Sequence, residues 1–181
     1  MKKDSFIEEY EVTPYTLLIK PVQYGKKTYS QIFEWEGEYI CPHKPMDIIK
    51  RSCEYYGSSY EGRKEGTRHL TGITHKSPIA VDPVCSILFF PTTSPVRSEC
   101  MWVAYDHIMS RTKNHYGDTD VVFRNGWKTS LPLSSSSLDN QLYRTALLKN
   151  RYVQRIAETE RKFLYVNRSI PKTKEHEKPF V

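Results

Sequence analysis

Arg63, Lys64 and Arg68 bring three cations close together in a segment with little side-chain bulk, Gly57-Ser58-Ser59-Tyr60-Glu61-Gly62-Arg63-Lys64-Glu65-Gly66-Thr67-Arg68. Glycine permits positive φ and lets a partner approach the main chain. Exposed amides beside Arg and Lys are the chemistry of phosphate binding. The segment therefore reads as a flexible loop with Arg63 and Lys64 at its tip and Arg68 at its exit. Ser58, Ser59, Gly62, Arg63, Lys64 and Arg68 are its candidate phosphate contacts. An ordinary surface loop has the same composition, so the rest of the chain must decide between the two.

Gly57 to Lys64 reads G-x-x-x-x-G-R-K, close to the nucleotide-binding P-loop. The lysine is one place late, Glu65 stands where the magnesium-binding Ser/Thr belongs, and the preceding element has a helical rather than a strand pattern. These differences exclude nucleotide hydrolysis at this segment. Cys41, Cys53, Cys85 and Cys100 are at least twelve residues apart, so no C-x-x-C metal or redox motif exists. Cys41-Pro42-His43 is half a metal site without a second half. Asp118-x-Asp120, with His107 and His115 scattered nearby, is the one arrangement a metal-dependent nuclease could use. The same aspartates suit a turn and a strand edge. No catalytic residue, metal ligand or cofactor is assigned.

The elements that must position these residues follow from periodicity. Residues 6–12 and 15–22 read as strands around Pro14, and 28–35 and 38–41 extend them into an antiparallel meander. Pro45 opens a helix over 45–56, since proline suits the first helical position. Met46, Ile49, Cys53 and Tyr56 form its apolar stripe, and Gly57 ends it. Arg68–Thr74 is expected as a strand, then 79–81, 86–90 and 100–109. Asn125-Gly126 between 118–123 and 127–131 is a hairpin signal. After Ser134-Ser135-Ser136-Ser137, whose last one or two serines suit an N-cap, a long helix is expected over 138–165. Its apolar face would hold Leu138, Leu142, Ala146, Val153 and Ile156. Arg144, Arg151, Arg155 and Lys162, spaced by 7, 4 and 7, fall opposite as an acid-free stripe. That stripe suits either a solvated face or a DNA backbone.

The 181 residues suit one α+β domain over 1–165, a mostly antiparallel sheet or half-barrel with one short and one long helix, and a flexible tail over 166–181. The formal charge of +6 favours a nucleic acid or another acidic partner. The N-terminus leads into no long apolar run and no window suits a membrane span, so a cytoplasmic protein with reduced thiols is expected.

R-S-C-E-Y-Y-G-S-S-Y-E-G-R-K-E-G-T (51–67), I-T-H-K-S-P-I-A-V-D-P (73–83), L-F-F-P-T (88–92) and N-Q-L-Y-R-T-A-L-L (140–148), with the Asn125-Gly126 hairpin, resemble the ComK family of competence transcription factors from Bacillus-type bacteria. The similarity runs in order from about residue 8 to 165. The resemblance implies a nucleoid-associated activator of DNA-uptake genes and of its own promoter. It implies binding to double-stranded DNA at sites with a run of A and a run of T, mainly through the minor groove. It also implies dimers assembling into tetramers, and RNA polymerase as a partner. His75 and Lys76, in the second matching stretch, join the candidate DNA contacts with Arg144, Arg151 and Arg155. Arg63 is the candidate for insertion into a narrow A-tract groove. The family's segment of the form F-M-L-Y-P-K, which a Clp-protease adaptor recognises, corresponds here to Phe163, Leu164 and Tyr165, followed by Val166-Asn167. The methionine and the Pro-Lys are missing, which leaves that partner open. A metal-dependent enzyme acting on nucleic acid and a protein-interaction module without DNA binding are the alternatives.

Overall fold

The computed structural model describes residues 5–169. Ten strands and three helices follow one another as β1 (Ser5–Phe6), β2 (Thr16–Tyr24), β3 (Lys27–Glu34), β4 (Glu38–Cys41), α1 (Pro45–Tyr55), α2 (Tyr60–Thr71), β5 (Ile79–Asp82), β6 (Ile87–Pro91), β7 (Trp102–Ala104), β8 (Ile108–Lys113), β9 (Thr119–Phe123), β10 (Lys128–Leu131) and α3 (Ser135–Ser169). Seven strands form one sheet in the order β1-β4-β3-β2-β7-β6-β5, and three form a second in the order β10-β9-β8. Every neighbouring pair is antiparallel except β1 with β4. The fold class is α+β.

Alternation along the strands gives the large sheet two apolar faces. Ile19, Ile32, Phe89 and Trp102 lie on one, where Ile48, Ile49 and Cys53 of α1 and Tyr60 of α2 cover them. Leu18, Phe33, Phe90 and Val103 lie on the other, packed with Val121, Phe123 and Leu131 of the small sheet and Leu138 of α3. A third cluster joins Ala80, Leu88 and Leu148, with Leu70 and Tyr152 against it, and so ties α2 to α3. α1 and α2 therefore rest on a fixed floor.

Strands β2, β3 and β4 of the expected meander, α1 and the Asn125-Gly126 hairpin form where periodicity predicts them. Gly126 takes φ 84, its N–H donates to the Phe123 carbonyl at 2.9 Å, and the Phe123 N–H donates to that of Trp127 at 2.8 Å. This is a three-residue loop closed by a left-handed glycine.

Several expectations are corrected. Of residues 6–12 only Phe6 is in a strand. Val12 instead gives its N–H to Ser52 Oγ of α1 at 2.9 Å. The single strand expected over 100–109 is broken by a 3-10 turn at Tyr105–His107, which carries the chain from the large sheet to the small one. The expected strand Arg68–Thr74 is the end of α2, stopped by Gly72 at φ 75. α3 is capped by the first serine rather than the last ones, since Ser134 Oγ accepts the Ser137 N–H at 3.2 Å. It continues through Asn167 and Arg168, past the expected end at Tyr165. The remainder of the expected tail, from 170 on, lies outside the described residues. None of the described helices is long and apolar enough to cross a membrane.

Candidate nucleic-acid interface

The glycine-rich segment is a helix. α1 ends in a Schellman arrangement, with Gly57 at φ 79, Gly57 N–H on the Glu54 carbonyl at 2.9 Å and Ser58 N–H on that of Cys53 at 3.0 Å. Ser59 then caps α2, its hydroxyl accepting the Gly62 N–H at 3.0 Å. Two glycines inside a helix cost it about 1 kcal/mol each relative to alanine, and tertiary contacts offset this. Tyr60 is buried edge-on to Trp102, with ring centroids 6.2 Å apart. Thr67 is buried and donates its hydroxyl to the Pro78 carbonyl at 2.9 Å. At Gly66 a Cβ would sit 3.4 Å from the Tyr152 hydroxyl of α3. That is an ordinary contact distance, so Gly66 lies against α3 without its packing requiring a glycine.

Making this segment helical separates its cations, because neighbours on a helix point about 100° apart. Arg63 is half-buried and turns back onto the end of α1, donating to the Tyr56 carbonyl at 3.2 Å. Its Nε is buried without a partner. Lys64 is exposed and lies 3.7 Å from Glu61. Arg68 is exposed and grips Glu65 through Nη2 and Nε, at 2.6 and 3.0 Å. The Arg68 guanidinium holds the Glu65 carboxyl below its ordinary pKa. Such exposed pairs are worth little, so both cations remain able to exchange a carboxylate for a phosphate.

His75 and Lys76 sit in the turn after α2, where Lys76 takes φ 46. α3 pins this turn. Gln141 donates to the Lys76 carbonyl at 3.1 Å and to that of Pro91 at 2.7 Å, and Arg144 donates to the His75 carbonyl.

Three neighbouring clefts make one surface of these parts. A cleft of about 340 Å³ is lined by Lys50 of α1, Lys64 of α2, and His75 and Lys76. It shares Met46, Pro95 and Val96 with a cleft of about 280 Å³ that carries Lys44 and Arg97. On its other side it shares Lys64, Thr74 and Ser77 with a smaller cleft that carries Arg68. The result is a continuous groove with six Lys and Arg side chains. The acids lining it are Asp47, Glu61 and Glu65. Glu61 and Glu65 are engaged by Lys64 and Arg68.

The family of the chain is settled by comparison. The profile of the ComK protein family matches residues 7–157. A relative named competence transcription factor, from Bacillus subtilis (strain 168), is 41% identical over 155 residues, covering 86% of this chain and 81% of the relative. The chain belongs to the ComK family. No solved structure matches it. The ComK profile spans the whole groove and about the first two thirds of α3.

Along α3 the chain departs from the expected faces. Gln141, Thr145 and Leu148 are buried, while Val153, expected inside, is 52% exposed. This rotates the buried face toward the arginine stripe, which therefore flanks the packed face instead of opposing it. Arg144 is half-buried as a result, and burial lowers its pKa from the ordinary guanidinium value. Arg151 and Arg155 are exposed. Phe163, Leu164 and Tyr165 are exposed on the last turns.

The remaining candidates do not converge. Asp120 accepts a hydrogen bond from Asn114 at 3.0 Å, while Asp118 gives its N–H to the Asn114 side chain at 3.1 Å, so both brace a turn. His107 contacts the Pro14 carbonyl at 2.7 Å through Nε2. The Cys41 thiol is buried and directed at the Glu8 carbonyl, and His43 meets Arg51 at 3.0 Å. Among the described residues no three His, Cys, Asp or Glu side chains gather as metal ligands would. Sequence reasoning missed Lys44, Lys50 and Arg97 as groove residues. Lys50 did carry a signal, since it lies off the apolar stripe of α1.

Proposed function

We propose that this protein is a transcriptional activator of competence genes that binds double-stranded DNA along the groove between α1, α2 and the turns at 74–77 and 94–98. Its place in the ComK family and the name of its Bacillus subtilis relative support the first part. The observation that carries the second is the continuous cationic groove. Lys50, Lys64, Arg68 and Lys76 meet phosphates there, while Ser59 and Gly62 shape the start of α2 beside them. Phosphate contacts of this kind set register and orientation without reading sequence.

The preference for a run of A and a run of T, read mainly in the minor groove, follows from the family resemblance. A narrow A-tract groove concentrates negative potential and so suits a surface rich in Lys and Arg. Assembly as dimers and tetramers, work with RNA polymerase and a cytoplasmic, nucleoid-associated location follow from the same resemblance. Phe163, Leu164 and Tyr165 are accessible to a protease adaptor, although the family's form of that segment is incomplete here. Arg63, tied to α1, supports the groove from behind.

A gel shift tests the reading, with an A-run/T-run duplex against a G·C-rich duplex of equal length. The parent protein should bind the first at least tenfold more tightly, in keeping with the roughly 1–3 kcal/mol that each mismatched position costs a specific binder. Lys50→Ala/Lys64→Ala/Lys76→Ala should weaken binding to both duplexes. Equal affinity of parent and triple variant for both would overturn the groove as the DNA site.

A further inference from the structure

The cleft of about 280 Å³ at the start of α1 has a wall that the groove reading does not explain. Trp102 lines it and is fully buried, and its indole Nε1 has no hydrogen-bond partner. Buried donors in folded proteins are nearly always paired, so an orphan on a residue that lines a cleft asks for an acceptor.

The N-terminus of α1 opens on the same cleft, which Pro45, Met46 and Asp47 line. Lys44 stands at the cap position and supplies no side-chain acceptor. Pro45 has no N–H, and the Asp47 and Ile48 amides both donate to the Lys44 carbonyl, at 3.0 and 3.1 Å. The Met46 amide is left at the positive end of the helix dipole. Lys44 and Arg97 stand on the rim with exposed side chains, and Arg97 shares its charge with Glu99 at 3.2 Å. Indole N–H, helix amide and two cations are four kinds of donor around one space. All of them call for an anion with several acceptor oxygens. Asp47 is the opposing charge and is exposed.

We propose that this cleft is a phosphate site, with the Trp102 indole N–H and the Met46 amide as its inner donors and Lys44 and Arg97 as its outer cations. The phosphate is either free, as inorganic phosphate or a small phosphate ester, or a unit of the DNA backbone. Only the second source rests on the proposed function, since the site opens into the same groove.

The test uses the ¹⁵N-labelled full chain and its three tryptophan indole signals. Trp35→Phe and Trp127→Phe assign the Trp102 signal by elimination and leave the cleft intact. Inorganic phosphate is titrated at constant ionic strength against chloride, and a duplex is titrated separately. The Trp102 signal should move saturably with phosphate and stay still with chloride. Lys44→Ala/Arg97→Ala should weaken that response roughly tenfold, as loss of charge-assisted hydrogen bonds does, and Asp47→Asn should strengthen it. Movement with phosphate alone assigns the site to a free phosphate. Movement with the duplex as well assigns it to the backbone. A Trp102 signal that neither titrant moves, or a phosphate response unchanged in the double variant, overturns the proposal. The gel shift reads the groove independently, so the two can fail separately.

Discussion

Arg63 and Lys64 are adjacent cations with different surroundings, and the difference is made by the helix that carries them. Arg63 meets the carbonyl end of α1, where a cation is favoured by the dipole. Lys64 faces the groove. From the sequence both read as loop-tip contacts, because only the fold shows which one the α1 terminus claims. Arg63→Ala should therefore lower stability by about 1–2 kcal/mol, the scale of a partly buried cation at a helix C-terminus. It should leave duplex affinity within about twofold, in line with a residue outside the phosphate contacts. Lys64→Ala should do the reverse. Urea midpoints and gel shifts on both variants check this, and a loss of A-tract preference in Arg63→Ala would return the groove-reading role to that residue. The same limit hid Lys44, Lys50 and Arg97. They come from two segments, the start of α1 and the turn at 94–98, that only tertiary structure brings to one groove.

At the scale of the element, α2 shows why local composition misled. Three glycines and two serines around a cationic pair signal a loop by propensity. The helix exists because Ser59 caps it and Tyr60 and Thr67 anchor it. Neither the Ser59 cap nor the burial of Tyr60 and Thr67 was read from the sequence, where serine and glycine signalled a loop. α1 and the hairpin carried no such conflict between local and tertiary preference, and both were legible. Gly66→Ala tests the balance. The added methyl would meet the Tyr152 hydroxyl at an ordinary 3.4 Å, so helix propensity should dominate and stabilise the protein by up to about 1 kcal/mol. Gly66→Leu should destabilise it, since the longer side chain must displace Tyr152 from α3. Melting temperatures of the two variants should move in opposite directions. α3 gives a related lesson. Its buried face is built partly from polar Gln141 and Thr145, which an apolar-periodicity search passes over. The expected face was therefore rotated, and Arg144 was placed too far into solvent.

The whole molecule holds several neutral acids inside it and several cations along one side, and each set has its own dependence on conditions. Burial pushes the Cys53 and Cys100 thiols up to about 11 and the Tyr60 phenol up to about 12, and raises Tyr10 as well. A raised folded pKa means that these groups favour folding while protonated. Their contribution is complete below the ordinary values of 9.0 for the thiols and 10.0 for the phenols. It is lost as pH rises through about 11 and 12. Denaturant midpoints should thus fall on that alkaline limb, and a flat profile through it would contradict the burial. The cations can be sorted by salt instead. Each phosphate contact releases condensed counterions, so each one lost should lower the log–log salt slope by about one unit. Lys50, Lys64 and Lys76 line the groove, and their triple alanine variant should lower the slope by about three units if every one meets a phosphate. Arg151 and Arg155 are exposed on α3, beside the face that packs on α2, and their double variant should lower it by about two if the duplex reaches that far. Arg144 is half-buried and holds the 75–76 turn, so Arg144→Ala should lower stability and leave the slope nearly unchanged. A slope that falls in the groove variant but not in the α3 variant confines the DNA to the groove and makes the arginine stripe a solvated face. The opposite pattern would move the DNA onto α3. A slope that ignores both variants would remove DNA from this side of the protein.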